Sequence, residues 1–158
     1  MAEQRKPRVQ LSRVEQVGIV VKDVDGAVDY YSSIFGWGPF EFMELELKGY
    51  TYRGRRHDYG RVKVALAQQG GIQIELIQVL EGELPHSDFL REKGEGAQHL
   101  FCGLVDDLSG MLAELAKEGI EPVFRTPLTV GDVEVEAVYL NADRIGGLMI
   151  ELAGLKQR

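Results

Sequence analysis

One strand is written twice in this chain, and that duplication constrains the fold more than any other feature. Gly70-Gly71-Ile72-Gln73-Ile74-Glu75-Leu76-Ile77 returns later as Gly146-Gly147-Leu148-Met149-Ile150-Glu151-Leu152-Ala153. Both copies alternate as strands do, with apolar residues at every second position. Ile72, Ile74 and Leu76 share one face, and Gln73, Glu75 and Ile77 the other. In the second copy Leu148, Ile150 and Leu152 oppose Met149, Glu151 and Ala153. Each copy sets one glutamate mid-strand, on a face not plainly meant for solvent. Two such strands predict two modules that face each other across a shared site.

The rest of the chain repeats in the same order. Val14 to Val21 reads as a strand, with Gln16, Gly18 and Val20 on one face. Asp25 is the expected cap of a helix over Gly26 to Phe35, which Gly36 ends. Phe40 to Leu47 and Arg61 to Leu66 are expected strands, and Gly49 to Gly60 between them an expected loop. Ser87 is expected to cap a short linking helix that ends before Gly94. A second strand from His99 to Val105 and a helix over Leu108 to Ala116 follow. Val123-Phe124 and Val133 to Leu140 are the next expected strands. The pattern of strand, helix and three strands thus occurs twice, and such self-similarity is itself a fold signal. It predicts an α+β fold, a single domain over 1–158 made of two tandem βαβββ modules. Module one spans 12–80, the linker helix 86–94 and module two 97–153.

Bulk properties narrow the function. At 158 residues and 44% hydrophobic, the chain can build one ordinary globular core. A formal charge of -7 argues against nucleic acid as a partner. Cys102 stands alone, so a cytoplasmic, reducing setting is expected. No stretch approaches the ~20 apolar residues of a membrane span, and Met1 to Val9 lack the apolar centre of a secretory signal.

If the modules are copies, equivalent strands present equivalent positions to the shared concavity. Gln16 and His99 come from the first strands, Glu75 and Glu151 from the last. Two carboxylates, an imidazole and an amide oxygen form a donor set for one divalent metal ion, with positions left for water or substrate. Zinc, nickel, cobalt, manganese and iron all suit such a set, and the identity stays open. Arg53, Arg55, Arg56 and His57 could hold an anionic arm of a small-molecule substrate.

Gln16-Val17-Gly18-Ile19-Val20-Val21-Lys22-Asp23, leading into Tyr30-Tyr31 and Phe35-Gly36, resembles the opening of the vicinal oxygen chelate superfamily, which includes glyoxalase I. The stretch from Phe89 to His99 is similar to the entry into the second module of methylmalonyl-CoA epimerases, and Ile150-Glu151-Leu152 to the family's final ligand strand. The resemblance implies a curved eight-stranded mixed sheet around the metal, and a homodimer. It implies metal ligands at Gln16, Glu75, His99 and Glu151, a set that itself looks like that of animal glyoxalase I. Epimerases of this type usually have histidine where this chain has Gln16, and glutamine where it has Glu75. They also carry a catalytic glutamate on the strand before the second ligand strand, where an ungapped alignment places Lys63.

These readings predict a metal-dependent isomerase or epimerase that polarises a carbonyl or thioester and moves a proton at the adjacent carbon. Glu151 and Lys63 are the expected proton-transfer pair, and an acyl-CoA or other carbonyl compound the expected substrate. A glyoxalase I-like lyase is the first alternative. Its substrate would not be glutathione-linked, because Val20, Val79 and Glu95 stand where that enzyme holds its glutathione contacts. A non-catalytic small-molecule binding protein of the same fold is the second. An extradiol dioxygenase fits poorly, since it needs two histidine ligands and only His99 lies on a ligand strand.

Overall fold

A computed structural model describes residues 5–156, so the first four residues of the N-terminal tail lie outside it. Eight strands close into a barrel. They are β1 (Gln16–Val20), β2 (Glu41–Tyr52), β3 (Arg55–Gln69), β4 (Ile72–Glu81), β5 (Gly96–Val105), β6 (Pro122–Val130), β7 (Val133–Leu140) and β8 (Met149–Leu155). Around the barrel the order is β1-β4-β3-β2-β6-β7-β8-β5. β1 pairs in parallel with β4, as β5 does with β8, and the two first strands pair antiparallel with each other. The duplicated unit therefore meets its copy at the β1–β5 seam and again where β2 touches β6. The curved sheet read from the sequence is closed.

Three cores explain why the strands alternate without a plainly wet face. Inside the barrel lie Val20, Leu47, Tyr50, Tyr52, Val62, Val64, Ile77, Phe124 and Tyr139, with Leu84 from the linker. Outside module one, α1 (Val24–Phe35) covers Ala65, Ile74 and Leu76. Outside module two, α3 (Leu108–Ala116) covers Cys102, Val138, Leu140 and Leu152. Each strand face that is apolar in the sequence has its own cover, so a one-residue slip would exchange two cores.

Three local expectations are corrected. The cap of α1 is Asp23, not Asp25: Asp23 is extended (φ -140°) and its carboxylate accepts from the Asp25 amide at 3.2 Å. The linker helix α2 (Pro85–Lys93) begins at a proline, with Leu84 as the cap residue. Ser87 sits in its first turn, accepting from the Leu84 amide at 3.0 Å. The expected loop from Gly49 to Gly60 is instead the end of a long hairpin, turning only at Arg53-Gly54. Tyr50 and Tyr52 are buried inside the barrel, and that burial draws the polar sequence around them into strands.

Candidate active site

The site is built on the β1–β5 seam. Gly18 pairs with Glu75 on one side and with His99 on the other. The register then shifts, Ile19 pairing with Ala97, so Gln98 is an extra residue in β5. Such a bulge re-aims neighbouring side chains. Here it brings the Gln98 Oε1 to 3.2 Å from His99 Nδ1. The imidazole lies over Gly18, where a methyl group would stand 2.0 Å from its Cε1. Glycine in mid-strand marks this close approach.

The other ring nitrogen of His99 faces two carboxylates. Nε2 is 3.4 Å from Glu75 Oε1 and 3.3 Å from Glu151 Oε2. It has no hydrogen-bond partner among the described residues. Both separations are longer than a well-formed hydrogen bond, and the contacts are ion pairs only when the ring is protonated. His99 is fully buried, and the glutamates are only 14% and 13% exposed. Facing an amide oxygen, Nδ1 is the nitrogen that carries the proton in the neutral ring. Three acceptors therefore converge where nothing among them donates, an arrangement that demands a cation or a proton between them.

The electrostatics follow. Burial lowers the His99 pKa, but the charges of Glu75 and Glu151 outweigh it and raise the value above the ordinary one. Burial pushes Glu151 up to about 7; His99 opposes that rise and Glu75 adds to it. Gln16 lies on the same face of β1 as Gly18 and the buried Val20, and its Nε2 donates to Gln73 Oε1 at 2.8 Å. The two His99–glutamate separations match those of donors about 2.1 Å from a tetrahedral ion, which lie about 3.4 Å apart. Among the described residues, however, no three His, Cys, Asp or Glu side chains already form a metal-binding group. Carboxylate reorientation would have to complete one.

Lys63 is not in this site. β3 turns Val62 and Val64 into the barrel, and Lys63 points outward, where its Nζ pairs with Asp25 at 2.6 Å and lies over the Phe42 ring. A shift of one residue in register separates that position from the inward-facing Val62 and Val64. The basic residues sit around the β2–β3 turn. Arg53 pairs with Asp88 at 3.4 Å, Arg56 with Asp58 at 4.0 Å, and His57 stacks on Tyr50, while Arg55 begins β3.

Four residues escaped the sequence reading. Gln98 has a signal, a polar neighbour one position before a ligand-type histidine. Glu41 stands in the Gly18–Glu75 row, pairing with Leu66, which pairs with Glu75. His86 and Tyr139 form a buried pair, Nε2 to hydroxyl 3.1 Å, beside His99. They lie 53 residues apart, beyond any local pattern.

Comparison with known proteins agrees with this architecture. The family model for the glyoxalase/bleomycin resistance protein/dioxygenase superfamily matches residues 15–138. Mouse mitochondrial methylmalonyl-CoA epimerase is 24% identical over 150 residues, covering 95% of this chain and 77% of that one. The uncharacterized protein YqjC of Bacillus subtilis is 25% identical over 142 residues, covering 90% and 91%. A Streptomyces coelicolor methylmalonyl-CoA epimerase in complex with 2-nitronate-propionyl-CoA superposes with a TM-score of 0.64 at 18% identity, over 94% of this chain and 100% of that one. The fold, the duplicated seam and the matched residues together make this chain a member of the glyoxalase/bleomycin resistance protein/dioxygenase superfamily.

Proposed function

We propose that the protein is a metal-dependent isomerase that transfers a proton at the carbon next to a thioester carbonyl, with methylmalonyl-CoA as its substrate. The observation that carries this is the convergence of Glu75, Glu151 and the bare Nε2 of His99 on one buried point. Those three side chains, with the amide oxygen of Gln16, would hold one divalent ion. When bound, it would supply Lewis-acid polarisation of the carbonyl. The two carboxylates would balance its charge. Glu151 is the proton-transfer residue in this reading, a buried carboxylate at the point where the substrate carbonyl would meet the ion.

A second proton-transfer residue is not available on β3, whose inward positions Val62, Val64 and Leu66 are apolar. Glu41, in the same row as Glu75, is the candidate for that role. Arg55 and Arg56 are proposed to meet the anionic arm of the coenzyme, whereas Arg53 is engaged by Asp88 and His57 by Tyr50. A glyoxalase-like lyase is the second reading, favoured by the combination of Gln16 with two carboxylates. A homodimer is part of the proposal, supported by the exposed Tyr30, Ile34 and Phe35 of α1.

The test is to titrate zinc, cobalt, nickel and manganese into chelator-treated protein. Each loaded form is then assayed for deuterium uptake from heavy water into methylmalonyl-CoA. About one ion per chain and metal-dependent exchange are expected. Exchange that proceeds equally in metal-free protein, or no exchange with any ion, would reject the proposal.

A further inference from the structure

One row of inward-facing residues beside the proposed ligands has no role yet, and it is made of amides. Gln68 on β3 pairs with Gln73 on β4, and Gln73 with Gln16 on β1. The next row along the same strands is Leu66, Glu75 and Gly18, and the one after it Val64, Ile77 and Val20. Residues two apart share a strand face, so all three rows face the interior, where Val64, Ile77 and Val20 are packed core. Glu75 therefore has core on one side and the amide row on the other. Space opens on the amide side. A cavity of about 580 Å³ is lined by Gln68, Gly71 and Gln73, together with Arg13 and Glu15 from the segment that leads into β1.

An amide side chain offers an NH2 group and an oxygen. Those of Gln16 and Gln73 are joined nitrogen to oxygen at 2.8 Å. Whichever of the two donates, the NH2 group of the other stays wholly free. With the oxygen of Gln16 on a divalent ion the choice closes, because an amide NH2 group donates and does not ligate. Gln16 Nε2 then donates to Gln73, and the NH2 group of Gln73 is the one left to give. Gln68 is held by the Gly70 carbonyl at 3.1 Å, and Arg13, 58% exposed, shares its guanidinium with Glu15 at 3.2 Å. The free donor nearest the ligand row is thus that of Gln73.

We propose that Gln73 binds a carboxylate carried by the substrate's reacting carbon, with Arg13 at the rim of the cavity adding its charge, and that this contact selects thioesters of substituted malonic acids over those of simple fatty acids. This rests on the isomerase reading above, which puts the thioester carbonyl at the ion. Rows two residues apart are about 7 Å apart along a strand, a span that the two carbonyl groups of a malonyl unit cover with their hydrogen bonds. Once an ion balances Glu75 and Glu151, neutral N–H donors hold a third carboxylate by charge-assisted hydrogen bonds, with no further cation in the interior.

Gln73→Glu is the deciding variant. Its carboxylate still accepts from Gln16 Nε2, which keeps that side chain in place, but it cannot donate and it repels a carboxylate. In nitrogen NMR of zinc-loaded wild-type protein, free methylmalonate should shift the side-chain amide signal of Gln73 saturably, and the neutral diamide of the same acid should not. Gln73→Glu should bind zinc within a few-fold of the wild type and methylmalonate about tenfold or more weaker. In deuterium exchange it should raise KM for methylmalonyl-CoA roughly 10–100-fold, the strength of a hydrogen bond to a charged group, with kcat changed far less. Arg13→Gln should raise KM only a few-fold, because Arg13 is exposed and shared. Methylmalonate that leaves the Gln73 signal unmoved, or that binds Gln73→Glu as tightly as the wild type, would overturn the subsite. The wild-type titration decides this even if the variant loses zinc. Wild-type protein that binds methylmalonate at Gln73 but exchanges no deuterium would instead count against the isomerase reading and leave the carboxylate subsite standing.

Discussion

The imidazole of His99 occupies the space that a side chain at Gly18 would fill: a Cβ there would lie 2.0 Å from Cε1 and 2.2 Å from Nε2. The duplicated module thus makes room for the buried His99 imidazole by omitting a side chain from the opposite first strand. Gly18→Ala should displace the ring, because neither the paired strands nor the packed barrel can move away cheaply. We expect a loss of roughly 1–3 kcal/mol or more, the usual range for overpacking a core. Metal affinity should fall with it. Urea unfolding and metal titration of the variant check this, and a variant with wild-type values for both would contradict the geometry.

Lys63 supplies a prediction of the opposite kind. It pairs with Asp25 on the outer surface, where an exposed ion pair contributes about 0–1 kcal/mol. Lys63→Met should leave any proton-exchange rate within about two-fold, whereas a general base would cost roughly 10²–10⁴-fold. Rate measurements on that one variant separate the two cases. A hundredfold loss would restore Lys63 to the mechanism.

How much of this was legible beforehand follows from which interactions are local. The duplication, the glutamate strands and the meeting of Glu75, His99 and Glu151 follow from period-two alternation, so they are legible in the sequence. Lys63 falls on the outer face, which an ungapped alignment does not register because it counts residues, whereas a strand assigns faces by parity. The Gly49–Gly60 segment looked like a loop because its residues are polar and glycine-rich. Its strand character comes from Tyr50 and Tyr52 entering the barrel, a tertiary effect. The bulge at Gln98 and the His86–Tyr139 pair depend on register and on a contact between distant elements. In a single sequence the first leaves only the polar residue before His99 as a trace, and the second leaves none.

Acid should destabilise the fold through His86. Folded, it stays neutral down to about pH 3; unfolded, it takes a proton near its ordinary 6.5. The unfolded chain therefore binds the extra proton between those values. The stabilisation is full above about pH 6.5 and declines as the pH falls toward 3. His86→Gln keeps a hydrogen-bonding side chain but does not titrate. Between pH 7 and 4.5 it should lose less stability than the wild type, by up to roughly 2–3 kcal/mol. Urea midpoints at the two pH values give the comparison, and identical losses in both proteins would show that His86 is not held neutral.

Gln98 offers a test of the metal site that leaves the proposed ligands untouched. Its Oε1 lies 3.2 Å from His99 Nδ1, and by accepting a proton from that nitrogen it would leave Nε2 bare between the carboxylates. An outer hydrogen bond of this sort orients a ligand histidine and raises its basicity, and its loss typically costs 10–100-fold in metal affinity. Gln98→Leu removes the acceptor from a fully buried ring nitrogen and should weaken zinc binding by about that factor. Gln98→Glu keeps an acceptor on Nδ1 and should bind zinc more tightly than Gln98→Leu. Competitive titration against a chromophoric chelator measures both variants. If the two bind zinc equally, the hydrogen bond is not what orients His99, and the ring must be held by Gly18 and the barrel packing alone.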